Sequence, residues 1–368
     1  MRIRRIVIAP AIVLFYCLLL VAGCTNGDDD GNGNQNQNTN QNTNENTNQN
    51  DNQNANENTN QNTNGNTNQN DNTNENGIGP DLSVGNLFTS TFDSSDSSAF
   101  SQVFEFDGDT VELVRRVFTH VEPGSNPHFV FGPDGAIYSS LNDKVQRFSS
   151  ETGELIESFI PSASGGMTSA GSLVFGTDGD LYVINADREI LQFDGGTGDF
   201  VRTLVTAGSG GLEAPLILRI GPNGNLFVLN VVLASSQVSV LEYDATTGAF
   251  EGEFVGVGTG GVVTALDMAF GPNGNLYIPD SNGGVAEFSG ASGASLGTFF
   301  NGLATTTFPT AVTFGPDDHL YVLAAVGQSA TPAIVKINGA TGEILDTFFR
   351  NEVSIMGNLL FKTAPASP

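Results

Sequence analysis

Apolar and polar positions along this chain fall into short recurring runs, with no long helical period. The clearest run is Phe270-Gly-Pro-Asn-Gly-Asn-Leu-Tyr-Ile278. An apolar residue closes one strand, and Pro-Asn-Gly turns the chain tightly because Pro presets φ and Gly accepts positive φ. Leu-Tyr-Ile then opens the next strand with β-forming residues. Near-copies are Phe131-Gly-Pro-Asp-Gly-Ala-Ile-Tyr138, Phe175-Gly-Thr-Asp-Gly-Asp-Leu-Tyr-Val183, Ile220-Gly-Pro-Asn-Gly-Asn-Leu-Phe-Val228 and Phe314-Gly-Pro-Asp-Asp-His-Leu-Tyr-Val322. A second run alternates with the first: an aromatic or apolar residue followed five positions later by a turn glycine, at Gly153, Gly198, Gly248, Gly293 and Gly342. Each repeat therefore predicts two hairpins, that is, four strands a, b, c and d.

Counting the hairpins predicts a closed ring. A shorter copy of the c–d hairpin, Val103-Phe-Glu-Phe-Asp-Gly108 followed by a strand over 111–118, brings that type to six. The a–b hairpin occurs five times in full, and Ser354-Ile-Met-Gly-Asn-Leu-Leu-Phe361 keeps Gly-Asn-Leu as a worn sixth copy. The chain would then start with c and d, and end with a and b, of one blade, which removes the open sheet edge. Roughly 280 residues over six units is about 47 each, within the range of four-stranded propeller blades. The expected fold class is all-β: a six-bladed β-propeller with four-stranded blades, closed by N- and C-terminal strands and preceded by a disordered Asn-rich tether.

The domains expected are a signal peptide at 1–23, a low-complexity linker at 24–80, the propeller at 81–364 and a tail at 365–368. Arg2, Arg4 and Arg5 precede an apolar run, 6–20, that is short for a membrane span. That run ends in Val21-Ala22-Gly23-Cys24, which resembles the lipobox of bacterial lipoproteins. The resemblance implies a Cys24 that is acylated and anchors the mature chain in a membrane. Thr25, where an Asp would signal inner-membrane retention by the same resemblance, implies the outer membrane. The expected location is the bacterial cell envelope, outside the cytoplasm. From Asn32 to Asn76 every even position is Asn. Ala55 is the one apolar residue there, so neither face of a strand could pack, and a solvated spacer is expected.

The net charge of −27 excludes a nucleic-acid surface, whose phosphates need basic residues. Loss of the three signal arginines would lower it to −30. Both cysteines, Cys17 and Cys24, lie at the N-terminus, so no disulfide staples the body. Within a repeat, the gap from the first motif glycine to the turn glycine runs 21, 22, 27, 22 and 27, whereas the gap onward to the next repeat is 22 or 23. Length variation thus lies between strands b and c, on the face opposite the glycine turns, and such one-sided variation marks a binding face. Long b–c loops are expected at 229–238 and 323–334, flanking Asp280-Ser-Asn-Gly-Gly284. Near the axis on that face fall His128, Asn185, Arg219, Asn230, Asp267 and Asp280, the candidate ligand-binding residues. Two structural alternatives stand beside this: a water-lined channel, and an Arg219–Asp267 ion pair. No catalytic residue is assigned. There is no Cys/His cluster and no EF-hand, and turn acids such as Asp178 and Asp180 are expected to cap local backbone. No cofactor is expected, with Ca²⁺ or another divalent metal left open.

The repeated Phe-Gly-Pro-Asp-Gly-x-Leu-Tyr-Val with its following Thr-Gly-Glu resembles NHL-type six-bladed propellers and their gluconolactonase-like and streptogramin-lyase-like relatives. The resemblance covers the body of the chain and implies the fold more than an activity. Lactonase-like members hold a metal with Glu, Asn and Asp at the channel mouth. The matching ring here reads Ser140, Asn185, Asn230, Asp280 and Ala324, without Glu. Lyase-like members use a His pair, of which only His128 has a counterpart. The expectation is a monomeric binding or scaffold module with a protein or carbohydrate partner on the variable-loop face. The alternative is a metal-dependent lactonase- or lyase-like enzyme using Asp267, Asp280, Asn185 and Asn230.

Overall fold

The computed structural model describes residues 85–92, 101–119, 128–281, 283–302, 308–327, 331–349 and 357–362. The segments expected as signal peptide (1–23), linker (24–80) and tail (365–368), with Cys24, lie outside these residues. The chain is all-β and forms six four-stranded antiparallel sheets. Blades 1 to 5 are built in sequence order a-b-c-d from 129–160, 170–205, 215–255, 269–300 and 308–349. Six hydrophobic clusters, one between each adjacent pair of blades, fill the interior. Six blades joined by six interfaces make a closed six-bladed β-propeller, since an open row would have one interface fewer.

The first motif is explained by this packing. Its aromatic residue stands on strand b and meets the motif Phe of the next blade edge-to-face: Tyr138 with Phe175 and Tyr277 with Phe314, ring centroids 4.9 Å apart in each pair. The same ring folds over the motif's first glycine, where a Cβ would lie 2.3 Å from the ring in Gly132 and 2.7 Å in Gly271. The turn acids cap local backbone as expected: Asp134 and Asp178 each accept the N–H two residues on and the hydroxyl of their own motif Tyr. Strand b is buried along its length, whereas strand d starts exposed on the outer rim.

Closure differs from expectation by one strand. Leu87–Phe92, Ser101–Phe106 and Leu113–Thr119 supply b, c and d of blade 6, and Leu359–Phe361 alone supplies a. The reason lies in Gly85-Asn86-Leu87-Phe88, a copy of Gly224-Asn225-Leu226-Phe227. Gly85 N–H bonds Lys362 O and Lys362 N–H bonds Asn86 O, both at 2.9 Å, so the ring closes inside a split a–b turn. Gly357-Asn358-Leu359 imitates the motif but leads into strand a, where the motif leads into strand b. The c–d turn of blade 6 is also full length rather than short. Val111, at φ 52, stands where other blades have the turn glycine, and its side chain is wholly buried in the interface with blade 5.

The predicted long b–c loops are mostly strand. In blade 3, b runs Leu226–Val232 and c runs Gln237–Tyr243, leaving only 233–236 as loop. In blade 5 the strands are Leu320–Val326 and Thr331–Ile337. The added residues are β-formers that extend the ladder, with Leu229 opposite Val240 and Val231 opposite Val238.

Candidate functional site

Five of the six candidate residues sit where strands a begin or strands b end, whereas Arg219 lies near the end of its strand a, Pro215–Ile220. At the end of strand b, Asn185, Asn230 and Asp280 perform one shared task. Asn185 Oδ1 accepts the N–H groups of Thr168 and Ser169 at 2.9 and 3.4 Å. Asn230 Oδ1 accepts those of Glu213 and Ala214 at 2.9 and 3.0 Å. Asp280 Oδ1 accepts those of Val263 and Thr264 at 3.0 and 3.3 Å. Each pair of donors follows a single 3-10 turn, Ser164–Gly166, Ser209–Gly211 or Thr259–Gly261, and a buried Met167, Leu212 or Val262. These side chains therefore fasten the d–a connection to its own blade. In blade 1 the matching position is Leu141, one residue past Ser140, and in blade 5 it is Ala324, so neither provides a polar side chain.

Residues at the start of strand a tie neighbouring blades together. Asn358 donates to Phe129 O at 2.9 Å, Ser172 accepts from Leu218 N–H at 3.1 Å, and Asp267 Oδ2 accepts from Val312 N–H at 3.0 Å. In each case the side chain of one blade reaches the equivalent backbone position of the next. Asp267 is almost wholly buried and also receives the Met268 N–H at 2.8 Å and the Arg219 guanidinium. Arg219 donates further to Met268 O and Leu218 O, both at 2.9 Å. Burial pushes the Asp267 carboxyl above the usual carboxylate range, and Arg219 and the two N–H groups pull against that. The structure thus brings Arg219 and Asp267 together as the structural ion pair.

His128 is the exception. Its backbone pairs with Ser140, but its imidazole finds no hydrogen-bond partner among the described residues. Burial, with the nearby Arg219 charge, lowers its pKa from 6.5 to about 4. The folded state therefore refuses a proton that the unfolded chain accepts between pH 6.5 and 4, so stability falls as pH drops through that window. The limiting slope from one proton is about 1.4 kcal/mol per pH unit. Urea unfolding at pH 7, 5.5 and 4.5 should show the wild type losing more stability than His128→Gln; parallel losses would contradict the shift.

Sequence reasoning missed the opposite face. In every blade, strands c and d place a matched pair of positions side by side near the c–d turn. The pairs are Glu105 with Arg115, Arg147 with Glu157, Gln192 with Arg202, Glu242 with Gly252, Glu287 with Gly297 and Lys336 with Asp346. Direct contacts are 2.7 Å for Arg115–Glu105, 2.8 Å for Arg147–Glu157 and 2.7 Å for Arg202–Gln192. Lys336 turns instead to Asp317 at 2.7 Å. Only blades 3 and 4 set an acid against glycine. Beside Glu287 lies a groove of about 660 Å³ between the turns of blades 4 and 5.

Comparison with known proteins adds the fold's company and little else. No protein-family profile matches the chain, and no curated protein matches it. Among solved structures 1019 chains match. One of them is the crystal structure of a protein provisionally named a gluconolactonase, 14% identical, with a TM-score of 0.49 over 64% of this chain and 81% of that one. A likeness that distant carries no statement about activity, and the six-bladed assignment rests on the strands themselves.

Proposed function

We propose that this chain is a lipid-anchored extracytoplasmic propeller acting as a binding or scaffold module. The observation that carries the reading is how the channel-end side chains are spent. Asn185, Asn230 and Asp280 each hold two backbone N–H groups of a d–a connection, and Asp267 is taken up by Arg219, Met268 and Val312. A metal-dependent lactonase-like site built on these four residues would have to break bonds that hold the blades. Among the described residues, no group of three or more His, Cys, Asp and Glu side chains is placed to hold a metal. The propeller fold itself is compatible with either reading. The anchor is supported by Val21-Ala22-Gly23-Cys24 after a basic start and apolar core, and by the polar Asn-rich stretch that separates it from the body.

Fractionation of cells expressing the full chain tests the reading. The wild type should pellet with membranes and extract into detergent, and Cys24→Ala should move to the soluble fraction or stall as the unprocessed form. Unchanged fractionation of fully processed Cys24→Ala would overturn the anchor. A rise in Tm on adding Ca²⁺ or Zn²⁺, reversed by chelator, would favour the enzyme reading instead.

A further inference from the structure

We propose that the groove between blades 4 and 5, on the face of the glycine turns, receives an arginine side chain presented by a partner protein, with Glu287 as its carboxylate. The argument comes from the molecule's own repeats. In blade 6, Glu105 accepts Asn86 Nδ2 and the Arg115 Nε, both at 2.7 Å. Arg115 then reaches across the interface to Ser150 O, in the c–d turn of blade 1, at 2.6 Å. Arg202 of blade 2 repeats the arrangement: Nε to Gln192 and Nη2 to Thr246 O, in the c–d turn of blade 3. A guanidinium lying between a strand-c acceptor and the next blade's c–d turn is thus a built element of two interfaces.

Blade 4 keeps the strand-c carboxylate of this arrangement and lacks the arginine. Glu287 accepts Asn275 Nδ2 at 2.8 Å, as Glu105 accepts Asn86, and also Tyr277 Oη at 2.8 Å. These bonds fall on Oε1; among the described residues, Oε2 receives none and no cation pairs with the carboxylate. The residue opposite is Gly297, where an added Cβ would meet nothing within 4 Å. Across the groove stand Asn338, Gly339, Ala340 and Thr341, the c–d turn of blade 5 that corresponds to the turns receiving Arg115 and Arg202. Asp318 adds a second carboxylate to the lining, which contains no Lys or Arg. The volume of about 660 Å³ falls within the range of ordinary ligand pockets, roughly 300–1,000 Å³. A planar guanidinium matches a carboxylate facing a carbonyl-bearing turn better than a compact ammonium does.

This inference gives a partner chemistry to the binding-module reading and rests on that reading, yet it fails separately, because Cys24→Ala leaves the groove intact. The test is fluorescence anisotropy with the full chain in detergent at 150 mM salt, using labelled tri-arginine, tri-lysine and tri-glutamate peptides. Tri-arginine should bind more tightly than tri-lysine, tri-glutamate should not bind, and Glu287→Gln should weaken tri-arginine binding at least tenfold. Non-specific attraction to a chain of net charge −27 would barely change when one carboxylate is removed. Equal binding of tri-arginine to wild type and Glu287→Gln would therefore overturn the proposal, as would equal affinity for tri-lysine. Free L-arginine binding as tightly as the peptide would replace the protein partner with a small molecule. Gly297→Arg, which supplies the guanidinium internally, should block the peptide. Should that variant misfold at the positive φ of Gly297, the Glu287→Gln comparison still decides.

Discussion

Gly293→Ala should lower the melting temperature by about 6–12 °C, the equivalent of roughly 3 kcal/mol at the usual conversion for a domain of this size. Gly293 closes the c–d turn of blade 4 at φ 68, and a Cβ there would stand 1.7 Å from Phe254 O and 2.7 Å from Phe254 C, on the outer strand of blade 3. Two effects combine. Left-handed backbone costs an L-residue about 1–2 kcal/mol. The carbonyl contact cannot relax by a side-chain rotation, so the two blades must part and loosen the cluster that includes Phe288 and Val255. Gly258→Ala separates the two terms. Gly258 has φ 72 and nothing within 4 Å of its would-be Cβ. It should therefore show the conformational part alone, a fall of about 2–8 °C. Equal losses in the two variants, read by thermal denaturation, would mean that interblade contact is not what the turn glycine protects. The same contact recurs at Gly153, Gly198, Gly248 and Gly342, with carbonyl distances of 1.9 to 2.1 Å, which is why the residue type is repeated where the turn alone would tolerate Asn.

How far the ring was legible follows from what each repeat encodes locally. A Pro-Asn-Gly turn and a Leu-Tyr-Val strand are local chemistry, so the blade count and the four-stranded blades could be read from the sequence. The closure point could not be read as easily, because Gly357-Asn358-Leu359 and Gly85-Asn86-Leu87 both carry the motif's middle. What separates them is pairing across the whole chain, Leu87 opposite Phe361, although the match of Gly85-Asn86-Leu87-Phe88 to Gly224-Asn225-Leu226-Phe227 was a usable signal. The polar positions at the strand ends were legible, and the backbone groups that their side chains hold were not. Asn230 and Asp280 look like ligands in a linear sequence, since the backbone N–H groups they satisfy lie sixteen and seventeen residues upstream. The Ser/Thr-Gly-Gly-apolar run before those donors, at Ser164, Ser209 and Thr259, was the missing cue. The groove was hidden for the opposite reason. Its distinguishing residue is Gly297, and a glycine reads as turn or bulge unless it is aligned with Arg115 and Arg202, each ten residues beyond its strand-c partner.

Asp267→Ala should destabilise the fold by about 3–5 kcal/mol, as removal of one member of a buried ion pair does. The carboxylate is only 3% exposed, and its loss strands three donors at once: the Arg219 guanidinium, Met268 N–H and Val312 N–H. Those donors belong to blades 3, 4 and 5, so the damage is to the ring rather than to one sheet. Arg219 would retain Met268 O and Leu218 O but keep a positive charge in a site where its own side chain is 19% exposed. Replacing both charges, as in Arg219→Met with Asp267→Leu, should recover most of the loss, because matched apolar residues in place of a buried pair are often neutral. Urea unfolding of Arg219→Met, Asp267→Leu and the double variant closes a cycle whose coupling energy reports the pair directly. A residue held for ligand binding would behave differently. Asp267→Ala would then keep its Tm, and Arg219→Met would show no coupling to Asp267→Leu. Destabilisation rescued by the double variant identifies Asp267 as a strut between blades.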